Sequence, residues 1–188
     1  MKVYILLSQT GTMPSRFFKA ITKAPYNHSS ISLNKELTDM RSFARRKLHN
    51  TFIAGYVYEN VYEKVFMMFD NKKINVCVLE IETEKENIDS LLDIFSQFDK
   101  NYKKHKYSFF GLFTLLFGST LKFKGHYFCS EFVAESLQRA GIIELTKAPA
   151  FMKPIDFKAL SNACVIYEGT LHDYKLQTEE NKKTALTV

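Results

Sequence analysis

Cysteine is scarce in this chain: three of 188 residues, at positions 77, 129 and 164. An odd number without paired metal-ligand spacing argues against a closed disulfide framework and fits a reducing compartment. Long apolar runs are also missing. A helix needs ~20 apolar residues to cross a bilayer, and no segment supplies them. The N-terminal run Met1-Lys2-Val3-Tyr4-Ile5-Leu6-Leu7-Ser8 is too brief for a signal-peptide core and reads as a strand. A cytoplasmic location is therefore expected. There is no glycine-rich phosphate loop, metal motif, internal repeat or low-complexity linker, so the expected cofactor is none and the expected metal is none.

The length suits one domain with a real core, expected over residues 1–176, and the polar stretch 177–188 reads as a frayed tail. The net charge of +6 and pI near 9.1 would suit an anionic membrane surface, an acidic substrate or nucleic acid. Arg41, Arg45, Arg46 and Lys47 form one basic cluster, and Lys100, Lys103, Lys104 and Lys106 another. Neither carries a nucleic-acid-binding motif, so both read as solvated faces and no nucleic-acid partner is expected. Peripheral membrane contact stays open.

Periodicity gives a coarse order of elements. A strand over 3–8 precedes a helix over 15–22, which Pro14 would open. A hairpin follows, bearing His28 and Ser42, then strands near 55–58 and 73–82. A helix over 87–102 is expected to place Ile88, Leu91, Leu92, Phe95 and Phe98 on one face. Helices dominate from there to a strand around Cys164. Cys77 and Cys164 both sit in apolar strand contexts and read as inert packing residues.

Cys129 is different. In Tyr127-Phe128-Cys129-Ser130-Glu131-Phe132-Val133-Ala134, the apolar residues recur at helical spacing through Leu137 and Ala140, and Gly141 stands where a C-terminal cap would. Cys129 then lies at a helix N-terminus, where peptide dipoles and unpaired N–H groups favour a thiolate and offer donors to an oxyanion. Glu131 and Glu135, in the first turns, suit the same dipole. Among five histidines, His28 opens the alternating strand His28-Ser29-Ser30-Ile31-Ser32-Leu33, a rigid mount for a general base. His126 is close in sequence but set on a segment that aims elsewhere, and His49 and His105 lie in basic loops where exposure is expected. His172 has no partner motif.

The order of these two motifs resembles the circularly permuted papain-like hydrolases of the NlpC-type superfamily, in particular their YiiX-like branch. Pro25-Tyr26-Asn27-His28-Ser29-Ser30-Ile31-Ser32-Leu33 is similar to the family's histidine strand, and the Cys129 segment to its nucleophile helix, in reverse of the usual papain order. Met40-Arg41-Ser42-Phe43-Ala44-Arg45-Arg46 and Lys106-Tyr107-Ser108 extend the resemblance over most of residues 2–157. It implies an α+β fold in which a small antiparallel sheet packs on helices, with a Cys129 thiolate and a His28 base acting on an amide, ester or thioester. By family position Ser42 would orient His28, although serine departs from the usual His, Asn, Gln or acid, and Glu36 and Asp39 are substitutes if the hairpin register differs. Tyr107 matches a tyrosine of the family that lines the cleft.

The stretch 107–118 is rich in Phe and Leu but too short to span a bilayer. It reads either as a core helix or as a wall for an acyl group, with Phe109, Phe110 and Phe113 beside Tyr107 as substrate contacts. Without an export signal a cell-wall substrate is less attractive than a lipid, an acyl-amide or an intracellular peptide. Two non-enzymatic readings stand beside these: a papain-like binding module without turnover, and a membrane-surface interaction protein using the Phe-rich segment with the basic clusters.

Overall fold

A computed structural model describes residues 1–9, 25–47, 50–63, 65–108 and 124–186. The helix expected over 15–22, His49, and Phe109, Phe110 and Phe113 of the apolar stretch lie outside the described residues. The described residues form an α+β fold built on a sheet of eight strands in the order β7-β6-β4-β3-β2-β1-β5-β8. The strands are β1 (Lys2–Gln9), β2 (His28–Ser32), β3 (Met40–Lys47), β4 (Asn50–Glu59), β5 (Asn75–Glu82), β6 (Lys106–Tyr107), β7 (His126–Tyr127) and β8 (Ala163–Thr170). The sheet is larger than the small one expected, and it is not purely antiparallel, because β6 and β7 pair in parallel.

Strand β1 explains the architecture. Val3 through Leu7 are all buried, which is the pattern of a central strand covered on both faces. Alternation divides its residues between two cores. Val3, Ile5 and Leu7 join Ile31, Phe43, Tyr56, Cys77, Leu79 and Ile81 beneath α2 (Lys85–Lys100) and α3 (Cys129–Arg139). Tyr4 and Leu6 join Met40, Val76 and Val78 on the other face, with Phe66 of the short α1 (Val65–Met68) and with Leu171 and Tyr174 of α4 (Leu171–Leu186). Residues 177–186, expected as a frayed tail, continue α4. Thr178 is buried and donates to the Tyr174 carbonyl one turn back in the same helix, while Leu171 and Tyr174 pack on the sheet.

On α2 the buried residues are Ile88, Leu91, Ile94, Phe95 and Phe98. Leu92, expected on that face, is 46% exposed, since at 3.6 residues per turn it falls about 95° from the centre of the stripe. Helix α3 ends in a Schellman arrangement. Gly141, at φ 73°, donates to the Gln138 carbonyl and Ile142 to the Leu137 carbonyl, a left-handed position that suits glycine.

The sheet also opens where the site needs it. β1 and β2 pair down to Ser8 opposite His28, whereas β2 and β3 pair only at Ile31–Arg41 and Ser32–Met40. Beyond those two rungs β2 presents the outer edge of His28, Ser29 and Ser30 without a ladder partner on the β3 side. α3 packs against both strands there. The missing rungs are replaced by side chains: the Ser42 hydroxyl donates to the Ser29 carbonyl at 3.0 Å.

Candidate active site

Cys129 is the first residue of α3, entered from extended Phe128, and its side chain is 3% exposed. It meets His28 across the opening between β2 and β3, where the thiol and the imidazole hydrogen-bond. Burial pushes the thiol up. The hydrogen bond and positive charge of His28, with the backbone N–H groups of Ser29 and Ser130, outweigh burial and bring Cys129 below the ordinary thiol value. Burial likewise favours a neutral His28, yet Glu59 and Cys129 together hold the imidazolium well above the usual histidine value. The two shifts oppose each other in sign, each group favouring the charged form of its partner.

The carboxylate at His28 comes from the last residue of β4. Glu59 Oε2 lies 3.0 Å and Oε1 3.2 Å from His28 Nε2, with the Glu59 side chain only 10% exposed. Sequence reasoning missed it, stopping the strand at 58. The signal was the parity of β4, since Met40 faces Glu59 and Ser42 faces Val57, and Ser32 faces Met40 in turn. Glu59, Ser42, Ser30 and His28 therefore share one face of the sheet, and alternation puts the Glu59 carboxylate on the histidine's side.

Ser42 Oγ lies 3.3 Å from His28 Nε2, and Ser30 Oγ 3.2 Å from it. Each hydroxyl has one proton. Ser42 gives its proton to the Ser29 carbonyl and Ser30 gives its own to Glu59 Oε2, at 2.6 Å. Toward the ring both are acceptors, as Glu59 is, so Nε2 carries a hydrogen and Nδ1 is the nitrogen left for the thiol. The two substitutes for Ser42 are engaged elsewhere: Glu36 with Lys182 and Asp39 with Arg41. They belong to the β2–β3 turn, at the far end of β2 from His28.

Tyr107, on β6, directs its hydroxyl to Cys129. Burial and the adjacent sulfur hold the phenol well above its usual value, so it remains a donor. Short β6 is held in place by β4: Gly55 pairs with Lys106, and Arg46 donates to the carbonyls of Tyr102 and His105 while stacking 4.4 Å over the Tyr102 ring. A methyl group at Gly55 would sit 2.2 Å from the His105 carbonyl oxygen and 2.7 Å from Arg46 Nη2. We expect Gly55→Ala to part β6 from β4, costing about 1–3 kcal/mol and slowing reaction at Cys129 through displacement of Tyr107. Thermal melts together with alkylation rates check this; unchanged values in both would show that the contact is accommodated.

The remaining polar residues are placed away from the sulfur or serve packing. His126 turns to the Lys124 carbonyl at 3.2 Å. His105, expected in an exposed loop, is half-buried with its ring 4.5 Å from that of Phe98, because β6 pairing draws the loop onto α2. Glu135 accepts from Tyr127 and pairs with Arg139, and Glu131 is buried in the first turn of α3. Arg41 stacks 4.1 Å over Tyr58 and Arg46 clamps β6, so part of the first basic cluster is structural rather than a solvated face. Cys77 is buried in β5, where burial raises its thiol to about 11, whereas Cys164, expected to be buried, is exposed on the edge strand β8. Among the described residues, no helix is long and apolar enough to cross a membrane. Comparison with protein-family models, with curated proteins and with solved structures finds no match to this chain.

Proposed function

We propose that this chain is a cysteine-dependent hydrolase or acyltransferase of the permuted papain-like type, acting on an amide, ester or thioester bond of a lipid, an acyl-amide or a peptide. The observation that carries the reading is Cys129 at a helix N-terminus, partnered by a His28 whose Nε2 is held by a buried carboxylate. Structural cysteines, of which Cys77 is the internal example, show the opposite shift.

The chemistry follows from the proton positions. The Cys129 thiolate attacks the carbonyl carbon, and as the C–S bond forms the π pair moves onto oxygen. Tyr107 and the N–H groups at the start of α3 are the donors available to that oxyanion. The His28 imidazolium gives its Nδ1 proton to the leaving nitrogen, oxygen or sulfur as that bond breaks, leaving a thioester on Cys129 and a neutral ring. Water, or a second acyl acceptor, then loses a proton to Nδ1 as it attacks the thioester, which frees the thiolate and restores the pair. Glu59 stays ionised throughout and stabilises the cation on Nε2.

Incubation with p-nitrophenyl esters of short and long acyl chains tests this by intact mass. We expect a single acyl adduct on Cys129, absent from Cys129→Ser where the adduct is sought as a thioester, and lost again on standing in water or on adding an amine or alcohol acceptor. Acylation spread over all three cysteines would sink the proposal.

A further inference from the structure

The polar environment of His28 contains two hydroxyls to which the proposed chemistry assigns no role, those of Ser30 and Ser42. Ser30 lies two residues along β2 on the same face as His28 and is fully buried. Its hydroxyl makes the shortest contact of the cluster, 2.6 Å to Glu59 Oε2, while its oxygen lies 3.2 Å from His28 Nε2. A buried hydroxyl with one proton must choose one acceptor, and here it chooses the carboxylate. The choice has a consequence for Glu59. Its side chain is only 10% exposed, and a carboxylate so buried keeps its charge only where hydrogen-bond donors reach it. A charge-assisted bond from Ser30 fixes Oε2 at the one position where it also receives the His28 Nε2 hydrogen.

We propose that Ser30 is a positioning residue, which acts on the nucleophile pair through Glu59 by holding the carboxylate ionised and aligned on His28 Nε2. The inference rests on the proposed function of Cys129 and His28 and adds to it a side chain that touches neither substrate nor sulfur. Ser42 differs in kind. Its proton goes to the Ser29 carbonyl, so it mends the open edge of β2 and contributes to Glu59 nothing that Ser30 supplies.

The groups acting on the His28 charge are Glu59 from β4 and Cys129 from α3, and Tyr107 of β6 is bonded to the sulfur. The titration of His28 is therefore the readout, followed by NMR of the labelled imidazole nitrogens and assigned with His28→Gln. In the unsubstituted protein the ring should remain protonated above the ordinary histidine range. Ser30→Ala should lower its titration by about one pH unit, because a carboxylate that turns away or protonates no longer stabilises the cation. A purely structural serine would change the melting temperature and leave the titration in place. Glu59→Gln should lower the titration as well, and Ser30→Ala should lower it less in the Glu59→Gln background than alone, since its main action runs through the carboxylate.

No change in Ser30→Ala, a rise, or full additivity with Glu59→Gln would each overturn the proposal. Should Ser30→Ala fail to fold, Ser30→Thr against Ser30→Val isolates the hydroxyl at matched shape: Thr should keep the high titration and Val lose it, and equal behaviour of the two overturns the assignment. Failure of the underlying reading looks different. In that case His28 titrates in the ordinary range in the unsubstituted protein and Cys129 shows no enhanced alkylation in mild acid, whatever stands at position 30.

Discussion

Replacing His28 by Gln will slow the alkylation of Cys129 near pH 6 by on the order of a hundredfold. The sign follows from the balance at the sulfur. Burial raises the thiol, and only the His28 hydrogen bond and charge, with two backbone N–H groups, carry it below the ordinary value. Removing the imidazolium leaves burial as the largest influence, so the thiolate fraction in mild acid collapses. In the unsubstituted protein the reactive pair should persist from the depressed Cys129 value up to the raised His28 value. Acid below that window protonates the sulfur, and base above it removes the imidazolium proton that a leaving group requires.

Peptide mass spectrometry after iodoacetamide gives the rate at each cysteine separately. Cys77, buried and raised to about 11, should stay unmodified in the folded protein. Cys164, exposed on β8, should label equally with and without His28 and so serves as the internal standard. Cys77→Ala and Cys164→Ala should leave the Cys129 rate unchanged. A His28→Gln protein that labels at Cys129 as fast as the unsubstituted one would mean that the helix N-terminus alone makes the thiolate, and that His28 is not its partner.

Glu59→Gln should reduce turnover of an acyl substrate on the order of a hundredfold, and Glu59→Ala more, while Ser42→Ala costs only a few-fold. Gln still accepts the Nε2 hydrogen and keeps the tautomer, so its loss measures the charge. Ala removes alignment as well. Ser42→Ala leaves the carboxylate in place and frees only the Ser29 carbonyl. Glu36→Gln and Asp39→Asn should stay within about twofold, because those acids pair with Lys182 and Arg41 at the surface. The decisive quantity is kcat, compared across the five variants on one substrate. A larger loss in Ser42→Ala than in Glu59→Ala would return the orienting role to the serine.

Local chemistry carried much of this protein. The apolar runs of β1 and β5, the alternation of β2, the apolar stripe of α2 and the Gly141 cap each follow from a few neighbouring residues, and each can be read along the chain. The same holds for the two reacting groups, because a cysteine at a helix start and a histidine at a strand start are properties of single elements. Tertiary structure decided what those elements meet. Glu59 follows His28 by 31 residues and reaches it only because β2, β3 and β4 stack with Ser32 opposite Met40 and Met40 opposite Glu59. A register error of one residue would have turned the carboxylate to the other face of the sheet. Cys164 and His105 were misjudged for the same reason, since exposure at a sheet edge, or burial under a neighbouring loop, depends on which strand lies beside it. The sequence specified which side chains could do chemistry; strand order and register, set by the two cores on either side of β1, selected which of them share a site.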